Sequence, residues 1–149
     1  MTRIDVLDAP FQGYYQMRRY VFEPIDGTPP TPVTTMRVRS LIVSPADGAT
    51  VRAGPLSVRG KAWSGEGPVE AVEIAVDGGD AWREATLGPA PSPYVWQSWE
   101  FTWDAKEPGR YVLRSRARDA KGNRQPDIAR WNRHGYGNNA IHGIVVNVR

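Results

Sequence analysis

Trp99-Glu100-Phe101-Thr102-Trp103 and, shortly after, Tyr111-Val112-Leu113-Arg114-Ser115-Arg116-Ala117-Arg118-Asp119 decide how this chain folds. Apolar or small residues alternate with polar ones through both. That period of two sends one set of side chains into a core and the other toward water. The alternation recurs in both directions along the chain. Val38 to Val43 ends at the turn Ser44-Pro45-Ala46-Asp47-Gly48. Leu56, Val58, Gly60 and Ala62 alternate with Ser57, Arg59 and Lys61. Val72, Ile74 and Val76 alternate with Glu73 and Ala75, then run into Asp77-Gly78-Gly79. Asp-Gly predicts a hairpin turn, because both central positions of a type I′ turn need positive φ. Trp82 to Leu87 is the expected returning strand. Asp119-Ala120-Lys121-Gly122 turns the chain again, and Ile144, Val146 and Val148 form the last strand. No window of helical length carries a 3.6-residue stripe.

About seven short strands in about 113 residues predict an all-β fold, an antiparallel β-sandwich of immunoglobulin-like type. The chain has no cysteine, so the inter-sheet disulfide of antibody domains is excluded. Trp99 and Trp103 are the expected core instead, each large aromatic burying roughly 150–250 Å². An irregular N-terminal segment precedes the sandwich. It holds Phe11, Tyr14, Tyr15, Tyr20 and Phe22, then Pro24, Pro29, Pro30 and Pro32. Prolines at that density fix φ and remove donors, which predicts an extended connector. The expected division is residues 1–36 and residues 37–149.

The length of 149 residues suits one domain with an appendage, and 40% hydrophobic with 23% charged residues is a globular composition. Apolar runs such as Leu41-Ile42-Val43 reach only three residues, where a membrane helix needs about 20. No membrane partner is expected. The opening MTRIDVLDAP lacks the apolar stretch of a secretory signal, and the compartment stays open. Nineteen Lys and Arg are scattered among 16 Asp and Glu, a mixed surface that gives no reason to expect nucleic acid.

Residues that carry chemistry are few. Without cysteine there is no thiolate zinc site, iron–sulfur cluster or thiol nucleophile. His134 and His142 lack the spacing to a second metal ligand. No nucleophile elbow, P-loop or H-E-x-x-H pattern occurs. Glu70 and Glu73 fall on opposite faces of their strand by the period of two, which bars cooperation. Arg114, Arg116 and Arg118 share one face, either a solvated surface or a seat for a partner's carboxylates. Residues 127–142 form a loop rich in glycine and asparagine, the kind of connection where recognition groups or structural turns gather. Trp63, Trp82 and Trp96 are expected to be exposed and able to stack on sugars. This supports an alternative reading as a generic protein- or carbohydrate-binding module.

Taken in order, these pieces resemble the sulfite oxidase family of molybdopterin oxidoreductases. Trp131-Asn132-x-x-Gly135-Tyr136-x-Asn138-Asn139-Ala140-x-His142 resembles the family's closing signature. Val38 to Pro45 with Gly48 looks like the entry to its C-terminal dimerisation domain, and Val58-Arg-Gly-Lys-Ala-Trp63 resembles the next strand. Val69 to Asp77 with Trp82 resembles the hairpin after it, and Trp99 to Trp103 its aromatic strand. Ala117-Arg-Asp-Ala-Lys-Gly-Asn-Arg-Gln-Pro126 resembles a family turn. The resemblance implies an immunoglobulin-like domain that forms a homodimer. It also implies that residues 1–36 are a remnant of the molybdopterin-binding catalytic domain, so the chain reads as a fragment or split subunit.

In that family a cysteine thiolate of the catalytic domain binds the molybdenum. The resemblance thus implies no catalytic, cofactor-binding or metal residues here, no cofactor in this chain and no activity alone. A separate molybdopterin-domain chain is a possible partner. Arg133 and His134 are the residues implied to face the substrate pocket. In animal members an arginine stands two residues after the asparagine, where this chain has His134 and carries Arg133 one earlier. A neutral histidine gives one donor where arginine gives a charged fork. Residues 1–36 are expected to be poorly anchored, since their aromatics would pack on a domain absent from the chain.

Overall fold

The structure, a computed structural model, describes residues 3–77 and 81–149. Gly78 and Gly79 of the expected hairpin turn lie outside the described residues. Asp77 has a φ of 58°, a left-handed value that aspartate tolerates better than most side chains. Two compact units make up the chain. One comprises Met1–Thr34 with Arg130–Asn138, the other Thr35–Ala129 with Asn139–Arg149.

The first unit contains a π-helical turn, Tyr15–Arg19, and one antiparallel pair, β1 (Val21–Phe22) with β2 (Thr31–Pro32). Val21 is buried, while Phe11, Tyr14, Tyr15 and Tyr20 are each at least half exposed.

The second unit is a β-sandwich, as the alternation predicts. Its strands are β3 (Arg39–Ser44), β4 (Ala49–Val51), β5 (Gly54–Trp63), β6 (Val69–Val76), β7 (Arg83–Glu84), β8 (Thr86–Leu87), β9 (Gln97–Ala105), β10 (Gly109–Asp119) and β11 (His142–Val148). One sheet runs β3-β5-β9-β8 and the other β4-β11-β10-β6-β7. Two features depart from the sequence reading. β4 is too short to show alternation and joins β11 in parallel. The single strand expected over Trp82–Leu87 is split, with β7 pairing β6 and β8 pairing β9. The chain changes sheets at Ala85, whose side chain enters the core and whose N–H donates to the Val72 carbonyl at 2.8 Å.

Trp99 and Trp103 lie in the core with Val58, Val72, Ile74, Leu113 and Val146. Trp99 lies so close over Gly60 that a Cβ there would sit 2.1 Å from both the indole Cζ2 and the Leu41 carbonyl oxygen. Only glycine fits that position. A buried polar link joins the sheets. Gln125 Oε1 accepts from the N–H groups of Ser40 (2.8 Å) and Ala117 (3.2 Å), and its Nε2 donates to the Ala140 carbonyl at 2.8 Å. Nearby, buried Asp119 accepts from Ser64 Oγ at 2.7 Å and from the Asn123 N–H at 3.0 Å. Burial pulls its carboxyl pKa upward, but hydrogen bonds from Asn123, Ser64 and the Lys121 N–H together hold it below the ordinary value.

Candidate functional site

The signature loop divides between the two units. Trp131, Asn132, Arg133, His134, Gly135, Tyr136 and Asn138 belong to the first; Asn139 and His142 belong to the second. Asn132 stitches the loop shut. Its Nδ2 donates to the Tyr136 carbonyl at 2.7 Å and its Oδ1 accepts the Tyr136 N–H at 3.1 Å. Gly135 takes positive φ within that closure and Gly137 just beyond it. Arg133 and His134 both reach Glu23, at 3.1 and 3.3 Å. His134, Tyr136, Tyr15, Tyr20 and Arg19 line a small pocket of about 180 Å³. Trp131 is exposed.

In the sandwich, the Asn139 side chain donates to the Val38 carbonyl at 3.2 Å, and His142 Nδ1 accepts the Ile42 N–H at 3.1 Å. That contact needs the neutral ring. Burial first, and the Arg39 charge second, depress the His142 pKa against a smaller upward pull from Asp47. Both residues of this half of the signature are therefore tied into the sandwich.

On the outer face of the β4-β11-β10-β6-β7 sheet, the arginine row finds its acids within its own chain. Arg116 pairs with Glu73 at 2.8 Å, Arg118 with Glu70, and Arg114 with Asp127 at 3.7 Å. The expectation that Glu70 and Glu73 point opposite ways fails. The β10–β6 register shifts between Arg118 and Asp119 and skips Glu70, and a bulge of this kind re-aims the extra side chain. Trp82 is partly buried, because the Arg116 and Arg114 guanidinium carbons lie 3.9 and 5.2 Å from its ring centroid. Trp63 is buried and stacks on Trp96 at 4.8 Å. Of the three tryptophans expected to be free for sugars, only Trp96, 61% exposed, keeps an open face.

The outer face of the β3-β5-β9-β8 sheet is open. A trough of about 440 Å³ crosses it, lined by Val43, Arg59, Lys61, Leu87, Ser98 and Glu100 among others. Val43 is the extra residue at a register shift between Ile42 and Ser44 and is 64% exposed. Arg59 and Glu100 stand directly opposite each other on β5 and β9. Their alternation is visible in the sequence, but their pairing depends on a register that the sequence does not show.

Residues 31–149 match the Mo-co oxidoreductase dimerisation domain. The chain belongs to this family. It is 35% identical over 124 residues to mitochondrial sulfite oxidase of Mus musculus, covering 78% of this chain and 23% of that protein. It is 32% identical to the mitochondrial sulfite oxidase of Homo sapiens over 99% of this chain and 30% of that protein. The solved sulfane dehydrogenase SoxCD from Paracoccus pantotrophus superposes with a TM-score of 0.76 at 28% identity, covering 92% of this chain and 39% of that one. The chain thus spans less than a third of the two sulfite oxidases. It holds the dimerisation domain of a sulfite oxidase-like enzyme without the cofactor-binding core.

Molybdenum of the parent family does not fit the residues present. The sequence has no cysteine to supply a thiolate, and among the described residues no three His, Asp or Glu side chains gather around one point. Among those residues, too, no helix is long and apolar enough to cross a membrane.

Proposed function

We propose that this chain is the self-association module of a sulfite oxidase-like molybdenum enzyme and pairs with a second copy of itself. The observation that carries this is the dimerisation-domain match over residues 31–149 on an intact sandwich. Sedimentation equilibrium at micromolar concentration tests it. A dimer supports the reading, and a strict monomer throughout overturns it.

The unit Met1–Thr34 with Arg130–Asn138 is the part that meets the cofactor-bearing portion of the enzyme, on the same or a separate chain. The human relative aligns over 99% of this chain, so the likeness extends ahead of residue 31, where the dimerisation domain match begins. Exposed Phe11, Tyr14, Tyr15 and Tyr20 form the kind of apolar surface that marks a partner. Arg133 and His134 face the substrate pocket in this reading, both tethered by Glu23. Limited proteolysis checks it: trimming to about residue 36 is expected unless the cofactor-bearing portion is present. Full protection of that segment in the isolated chain contradicts it.

A further inference from the structure

We infer that two copies of this chain pair through the outer face of the β3-β5-β9-β8 sheet, with Arg59 of each copy meeting Glu100 of the other. This rests on the self-association reading and names its surface. A two-fold interface sets one patch against itself, so the patch must complement itself. Arg59 and Glu100 do so. They are opposite each other across β5 and β9, both exposed. Arg59 makes no ion pair among the described residues, and Glu100 accepts from the Ser57 hydroxyl. A two-fold axis lying in the interface and running between β5 and β9 places each cation over the partner copy's anion. Val43, 64% exposed at the β3 edge of the trough, adds apolar surface beside the charges, the mix of apolar patch and polar rim that homodimer interfaces use.

The β10–β6 part of the opposite face is already paired within the chain. Its Arg116, Arg118 and Arg114 are held by Glu73, Glu70 and Asp127, and its tryptophan lies under two guanidinium groups. Docking there would first have to break internal pairs.

The test is sedimentation equilibrium on the full chain and five variants, with circular dichroism confirming the fold. Arg59→Glu and Glu100→Arg each place like charges together twice per dimer. Each is expected to raise the dimer Kd at least 10-fold, and the double variant R59E/E100R to recover most of that loss. Val43→Arg, which fills the trough from another strand, is expected to weaken association by a similar factor. Arg110→Glu, exposed on the opposite face, is expected to leave it unchanged. A dimeric parent whose Arg59, Glu100 and Val43 variants stay equally dimeric overturns the assignment of this face and leaves self-association intact. A monomeric parent overturns both.

Discussion

The two outer faces of the sandwich spend their arginines differently. On the β10–β6 face, guanidinium groups stack on Trp82 and pair with Glu73 and Glu70. They cover the small residues beneath so well that Ala71 and Ala75, directly opposite Arg118 and Arg114, are only 8% and 1% exposed. On the β5–β9 face Arg59 stands beside Glu100 without an ion pair, at the rim of an open trough. Charge density alone therefore does not mark a binding surface. The richer row is already satisfied from within, and the poorer one is left to meet something else.

Trp82→Ala should break the comparison hardest. Removing the ring under two guanidinium groups takes away a partly buried aromatic and its cation–π contacts, with an expected loss of about 3 kcal/mol. Urea unfolding reads that loss, and the dimer Kd should hardly move. Gln125→Ala acts on both sheets at once. It leaves the Ser40 and Ala117 N–H groups without their acceptor, at an expected cost of about 2 kcal/mol in the same assay. Arg118→Ala removes a pair between half-exposed partners. Its expected cost is under about 1 kcal/mol, since solvent screens such pairs.

The pH dependence follows His142. Its pKa is depressed in the folded chain, so the unfolded chain binds the proton more readily. The His142 contribution is complete above the unfolded value of about 6.5 and is lost as pH falls through it toward the lower folded value. Asp119 has the same sign at lower pH. Its contribution is present above about 3.9 and disappears as pH falls through its depressed folded pKa. Thermal unfolding between pH 7.5 and 5 reads the first loss, and His142→Gln should flatten it.

Much of the fold was legible because period two survives in long strands. Trp99 and Trp103 fall where alternation puts them, and β5, β9 and β10 need no tertiary information. The failures share one physical cause, that register is not local. β4 has three residues and takes its direction from β11. Trp82–Leu87 divides because Ala85 is drawn into the core between the sheets. Glu70 joins the arginine face through a bulge that no spacing reveals. Gln125, in a polar turn, gives no sign that it lies buried between Ser40 and Ala117. For the signature loop the sequence leaves recognition and structural turns both open, and Asn132, Asn139 and His142 each spend polar atoms on nearby backbone. The trough was invisible because Arg59 and Glu100 are far apart in the chain.

The most direct test of the open face uses the absence of cysteine. Single cysteines at Thr102, on the outer β9 face, or at Arg110, on the opposite sheet, take one spin label per copy without background. Electron–electron distances in the dimer should be shorter for the Thr102 label than for the Arg110 label by at least about 20 Å, because the two sheets of each sandwich lie about 10 Å apart. Shorter distances at Arg110 would contradict pairing through the β3-β5-β9-β8 face.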